Sequence, residues 1–348
     1  MAAGVSTEAR GGVNRTPRPA GWARTIDGRA LTVLALALLV VTSFGSLFIG
    51  VSDVTPVDVL RLDNSDYQTR VFIESRVPRL MAILLSGSAM SVSGLIMQTL
   101  VRNRFVAPST AGTVSSASLG LVVASIWFGS ASIFLKMSIA VLFAMVGTLV
   151  FLALVQRMKH GDIIVVPLIG IMFGGVVQAT ATFFAFKYDL LQSLNAWING
   201  DFSGTLRGRY ELLYLVGALT AVTYLFANRF TLVGMGREFA INLGVHFERV
   251  LYGGLCLVSL VSAVVVVVVG SIPFLGLVVP NLVTMAMGDN LRRVLPATAI
   301  SGAFFVLVCD ILSRTIRYPY EVPVGSIVGV GGGLVFIILV LRSRSVGN

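Results

Sequence analysis

The sequence predicts an all-α fold, a polytopic membrane bundle of about ten transmembrane helices, and three observations predict it. Hydrophobic residues make up 56% of the 348 and charged residues only 12%, with a mean hydropathy of +0.90, whereas soluble domains carry roughly 25% charged residues. Uncharged runs of the roughly 20 residues needed to cross a bilayer recur along the chain, as in 31–51, 80–101, 163–186 and 322–341. No segment alternates polarity as the roughly 10-residue strands of an outer-membrane barrel do.

The elements follow in chain order. Residues 1–30 hold Arg10, Arg15, Arg18, Arg24 and Arg29 among Gly, Pro and Thr, opposed by Glu8 and Asp27. Such a stretch lacks apolar surface to bury and is expected to be a disordered basic tail, ahead of a membrane domain over 31–348. The run 31–51 exceeds a signal-peptide core and has no Ala-x-Ala site close behind it, which predicts an uncleaved first helix. Further spans are expected at 80–101, 109–128, 137–156, 163–186, 212–228, 250–270, 276–288, 294–313 and 322–341. The charge-free stretch 250–288 is too long for one span, and Gly270, Pro273 and Gly276 divide it into a helix, a turn and a short second helix.

An even number of spans puts both termini on one side. Sixteen of the 26 Lys and Arg residues fall on that side, including Arg102, Arg104, Arg157, Arg237, Arg292, Arg293 and Arg342, and nine of the 16 acids fall opposite. The positive-inside bias places the termini in the cytoplasm and the chain in the cell (inner) membrane. The same topology accounts for the net charge of +10, so no nucleic-acid partner is implied. Cys256 and Cys309 stand alone within predicted helices and read as small packing residues. Small residues at helical spacing (Gly112, Ser116 and Gly120; Gly170 and Gly174; Gly325, Gly329 and Gly333) predict close helix packing in lipid.

Chemistry is sparse. None of Lys136, Lys159 and Lys187 lies in the Gly-Lys-Ser/Thr context of a phosphate loop, so ATP and Mg would have to be handled by another chain. No nucleophile–base pair or metal-ligand cluster argues for an enzyme or a bound cofactor. Four features remain. Arg76-Val-Pro-Arg79 opens the second span, with Pro78 suited to a first turn and both arginines on one face at the bilayer surface. Asp310 is a carboxylate at membrane depth, and Arg314, four residues on, is its natural partner in a structural ion pair. The loop 229–249 contains Gly234-Met-Gly236-Arg-Glu-Phe-Ala240-Ile-Asn-Leu-Gly244 and reads as one or two short helices exposing Phe239 and Leu243, a knob fit for a partner's groove. Pro280-Asn281 interrupts a short span, a pattern tolerated inside a bundle or beside a water-filled cavity.

In this order and spacing, these segments resemble the permease family of iron-siderophore, haem and cobalamin ABC importers, the type II importers. The matching positions are Arg76-Val-Pro-Arg79, Ser86-Gly87 with Gly94 and Gln98, Arg102-Asn103 with Ala107-Pro108 and Gly112, and Trp197 with Gly200. They continue with Ala240 and Leu243-Gly244, Phe274-Leu-Gly276-Leu-Val-Val-Pro280, Gly288-Asp289, Asp310 with Arg314, and Glu321-Val-Pro323-Val-Gly325. The resemblance implies a second permease chain, two cytoplasmic ATPases and an extracytoplasmic binding protein whose acidic side chains meet Arg76, Arg79 and Arg314. It further implies that Gly236, Glu238, Ala240, Leu243 and Gly244 couple to the ATPase. Gln98, Asn103, Pro108, Trp197, Gly200, Pro280 and Asn281 become candidate pathway positions.

Three departures mark the chain: Asn281 stands where the family usually has His, Arg104-Phe-Val replaces Pro-Leu, and Val330-Gly-Gly-Gly333 replaces Gly-Ala-Pro. Val-Pro-Asn281 followed by Gly288-Asp-Asn-Leu-Arg looks like the siderophore branch with two different permease chains, which implies a ferric siderophore substrate and a heterodimer with a paralogue. The competing reading is a cation-coupled secondary transporter, for which Asp310 is the one intramembrane acid able to bind a coupling ion.

Overall fold

A computed structural model describes residues 28–50, 67–157, 165–208 and 210–345, and those residues form helices and connecting turns without a strand. Most of the predicted tail 1–30 lies outside the described residues. Its last three residues are helical, because α1 begins at Gly28 and runs to Phe48. A short α2 (Tyr67–Val71), a π turn (Phe72–Arg76) and α3 (Val77–Val101) run on as one 35-residue helical stretch. Then come α4 (Thr113–Trp127), α5 (Ile133–Gln156), α6 (Val165–Lys187) and the short α7 (Leu191–Ile198). The chain continues through α8 (Leu212–Leu225), α9 (Ala227–Gly234), α10 (Arg237–Asn242), α11 (Phe247–Val269), α12 (Leu275–Met287), α13 (Leu291–Thr315) and α14 (Val324–Ser345).

Each of the ten predicted spans has its helix, and the lengths explain what hydropathy alone blurs. Among the described residues, six helices are long and apolar enough to cross a membrane, and α8 with α9 reaches that length only as a pair bent by 63°. The expected span 212–228 therefore ends at a corner instead of continuing straight. The expected start at 109 also moves, to Thr113. Residues 102–112 turn because Arg102 adopts a left-handed conformation (φ 56) and the Thr110 hydroxyl accepts from the Ala107 N–H. The 13-residue α12 rises only about 20 Å at 1.5 Å per residue, short of a hydrocarbon core of about 30 Å. Its start is instead fixed by a non-helical break at 270–274.

That break is held by backbone. Gly200 N–H donates to Ser271 O (2.9 Å), Ser271 N–H to Trp197 O (2.9 Å), and Gly325 N–H to Gly200 O (2.8 Å). Three chain segments thus satisfy one another where lipid would leave their peptide groups unpaired. A methyl added at Gly325 would fall 2.7 Å from Gly200 N, and one at Gly200 would fall 2.5 Å from Ser271 O.

The central helix is α3. It packs against α13 most extensively, then α11, α12, α8 and α9, while α4 gathers α5 and α6, and α5 in turn packs against α11. One face of α3 carries Gly87, Ser91, Gly94 and Gln98 at helical spacing. A Cβ on Gly94 would lie 1.9 Å from Gly276 O, and one on Gly302 would lie 2.0 Å from the Ser91 hydroxyl and 2.6 Å from Gly87 O. Backbones therefore touch at two levels, the close approach that small residues permit in lipid. Of the small-residue series read from sequence, Ser116 meets Gly147, Gly120 meets Ala140, and Gly170 meets Thr110 O, whereas Gly333 faces open space. Cys309 is buried as expected, but Cys256 lies on an exposed face of α11.

Candidate functional site

Two chemically distinct regions lie at opposite ends of the bundle. At one end the C-terminus of α1, the N-terminus of α3, the C-terminus of α13 and the segment before α14 converge on five charged residues. Asp310 is fully buried and accepts from Arg79 Nε (3.0 Å) and Nη2 (2.8 Å) and from Arg314 Nη2. The second guanidinium edge of Arg79 grips both Glu321 oxygens (2.9 and 2.8 Å). Arg314 also donates to Ser46 O (3.1 Å) and Ile49 O (2.7 Å), and Arg76 donates to Leu47 O (2.6 Å). The last carbonyls of a helix lack intrahelical donors and carry a partial negative charge, so cations belong there.

The Asp310–Arg314 ion pair expected from the sequence is present. It is one edge of a larger cluster that also contains Arg79 and Glu321. Arg76 and Arg79, expected on one face at the bilayer surface, and Arg314, expected beside Asp310, are the three positions read as meeting a binding protein. They are 8%, 9% and 8% exposed and point into the bundle. The π turn before α3 places an extra residue in the coil, and Arg76 ends it, so Arg76 and Arg79 both face inward. A proline in the following turn frees preceding carbonyls, and Glu74 O is taken up by the Arg207 N–H at 3.1 Å. The most accessible member is Glu321, whose side chain is 28% exposed. Sequence reading gave Glu321 no role, because its partner Arg79 lies 242 positions away.

At the opposite end, α9, α10 and the start of α11 form a protruding corner. Gly236 (φ 122) and Gly244 (φ 75) hold left-handed backbone conformations that side-chain-bearing residues seldom adopt. Between them α10 turns Ala240 inward, where its carbonyl accepts from the Val245 N–H (2.9 Å). Glu238 is exposed in the first turn, and Met235, Phe239, Ile241 and Leu243 are all exposed. The short helix and the exposed Phe239 and Leu243 match the sequence reading, while Met235 and Ile241 enlarge the apolar surface. The corner is braced by an Arg237–Glu248 ion pair (3.2 Å). Beside it, Gln98, Arg102, Asn103, Thr231, Gly234 and Asp289 help line a cavity of about 380 Å³.

The seven candidate pathway residues separate into two groups. Gln98, Asn103, Pro108, Pro280 and Asn281 meet in one junction between α3, the 102–112 turns and α12. Pro280 lacks an N–H, so Gly276 O, one turn earlier, has no helical donor. Gln98 Nε2 supplies it (3.3 Å) and also approaches Leu277 O (3.4 Å). Asn281 Nδ2 donates to Arg104 O (2.8 Å) and Leu277 O (2.7 Å), pinning the turn to α12, while Asn103 Oδ1 accepts from the Phe105 N–H (2.9 Å). Pro108 lies against Gly276. Trp197 and Gly200 belong to the distant backbone knot, with Trp197 packed between clusters of α4, α5, α6 and α11. Gln98, Asn281 and Asn103 thus hold the chain to itself, and Gln98 and Asn103 also border the 380 Å³ cavity. Buried amides in lipid must find internal partners, and these have done so.

Comparison with known proteins agrees with this architecture. Residues 38–342 match the FecCD transport family, and the chain belongs to that family. It is 46% identical over 308 residues to the petrobactin import system permease protein YclN of Bacillus subtilis (strain 168), covering 88% of this chain and 97% of that one. It is 43% identical over 270 residues to the ferric-anguibactin transport system permease protein FatD of Vibrio anguillarum, covering 78% and 86%. Among solved structures, a metal-chelate type ABC transporter in an inward-facing conformation superposes with a TM-score of 0.75 at 24% identity. It covers 90% of this chain and 99% of that one, a likeness of fold. The relatives are transport subunits, not enzymes.

Proposed function

We propose that this chain is the permease subunit of an ATP-driven importer that passes a ferric siderophore from an extracytoplasmic binding protein to the cytoplasm. Family membership together with the names of two relatives, one for petrobactin and one for ferric anguibactin, supports the substrate class. The observation that carries the mechanism is the knob. Four large apolar side chains, Phe239 and Ile241 on the six-residue helix and Met235 and Leu243 flanking it, are exposed outside the spans and form a surface that a soluble partner would cover. In this reading Gly236, Glu238, Ala240, Leu243 and Gly244, within the loop 229–249, seat in a cytoplasmic ATPase that alone holds ATP and Mg. Closure of the ATPase pair would then move the helices as rigid bodies. Both termini lie in the cytoplasm, and a paralogous permease completes the pathway. A coupling-ion site at Asp310 is not favoured, since that carboxylate is already shared by two arginines.

Docking of the binding protein at the end formed by Arg76, Arg79 and Arg314 would require its carboxylates to compete with Glu321 for Arg79. Uptake of labelled ferric siderophore by the co-expressed importer tests the coupling reading. Leu243→Asp should abolish uptake while the permease still reaches the membrane in normal amount. Uptake at the unsubstituted rate would refute the assignment.

A further inference from the structure

One groove of the bundle has no part in this scheme. It lies between α1, α12 and α13, encloses about 300 Å³, and is floored by Ala35, Ala286, Ala297 and Ser301 with Phe304 and Phe305 as walls. That volume sits at the lower end of small-molecule sites, roughly 300–1,000 Å³. The small floor residues make it a crevice on an outer surface of the bundle instead of another ridge for lipid tails to slide past. On α13, Arg293, Ala297, Ser301 and Phe304 share one helical face, because residues three and four apart stack. Arg293, in the first turn of α13, therefore lies one turn before groove residue Ala297 on the same helical face.

The charges there are not consumed within the chain. Arg292 and Arg293 are exposed and make no ion pair among the described residues, and nearby Asp289 is held by Arg104 at 2.9 Å. Basic clusters at the headgroup level beside a slot between membrane helices are the arrangement that recognises anionic lipid headgroups.

We infer that this groove binds one anionic phospholipid, with an acyl chain lying against Ala297 and Ser301 and the phosphate drawn to Arg292 and Arg293. The inference depends on the multi-pass membrane architecture and not on what the transporter carries. Each surface arginine favours an anionic lipid roughly five-fold, so the pair should give a preference of about thirty-fold over a zwitterionic lipid.

The test uses the assembled transporter in nanodiscs containing equal phosphatidylglycerol and phosphatidylcholine, with native mass spectrometry of the lipids retained after detergent exchange. At least one phosphatidylglycerol per chain should persist. Arg292→Gln with Arg293→Gln, a surface change, should equalise the two lipids. Ser301→Phe should displace both, with assembly checked by the recovery of all subunits. Equal retention of the two lipids by the unsubstituted protein would overturn the inference. So would phosphatidylglycerol retention that the arginine pair does not alter, or a groove that keeps no lipid because another chain covers it.

Discussion

Replacing Asp310 by alanine should be among the most damaging single changes in this protein. Asp310 is fully buried and receives three hydrogen bonds from two guanidinium groups. Its removal leaves Arg79 with Glu321 alone, and Arg314 with the Ser46 and Ile49 acceptors of α1. Breaking a buried ion pair from one side costs about 3–5 kcal/mol, because the surviving charge stays desolvated. Both arginines keep other acceptors, so the lower end applies, about 3 kcal/mol, or a factor of roughly 100 in the folding equilibrium. The assay is the unfolding midpoint of the purified permease in mixed micelles of mild detergent and dodecyl sulfate. A second variant isolates the cause. Adding Arg314→Met to Asp310→Ala should recover part of the loss, since a stranded cation is removed and replaced by a chain of similar volume. A loss below about 1 kcal/mol, or additive losses in the double variant, would show that the cluster is not an interdependent electrostatic unit.

Three further outcomes follow from the same geometry. Gly94→Ala places a methyl 1.9 Å from Gly276 O and should cost about 3 kcal/mol or more, since backbone and not a side-chain tip must yield. Gly45→Ala, which meets nothing within 4 Å, serves as the neutral comparison in the same unfolding assay. Gln98→Leu leaves Gly276 O without its donor and should cost about 1–3 kcal/mol, read as a lowered unfolding midpoint. Glu321→Gln weakens the competitor for Arg79 and should tighten binding-protein capture severalfold at low salt, measured by surface binding to the reconstituted importer. Unchanged affinity would remove the docking role from this cluster.

The small-residue face Gly87-Ser91-Gly94-Gln98 was in principle readable, since it repeats at three- and four-residue intervals. What could not be read was which helix it would meet. In lipid every apolar surface is equally at ease, so periodicity marks a contact face without naming its partner. Gln98 shows the same limit. A lone amide in a span announces an unpaired carbonyl somewhere, but the carbonyl freed by Pro280 lies 178 positions away. The direction of the arginines is hidden for a related reason. Position in sequence puts Arg76 and Arg79 at the start of the second span, and there they are buried. Their inward direction, however, depends on the π turn at Phe72–Arg76, which no composition rule announces.

The sequence by itself determined the class of fold, the order of the apolar helices, the break before α12 and the exposed corner around Leu243. These follow from local requirements, because lipid compels each crossing segment to be apolar and to satisfy its own backbone. Tertiary structure alone decided that Arg79 bridges Asp310 and Glu321, that Gly94 rests on Gly276, and that three loops share hydrogen bonds at Gly200. Such pairings depend on how helices rotate and lean against one another. That is fixed by interlocking surfaces hundreds of residues apart, and no single stretch of chain contains it.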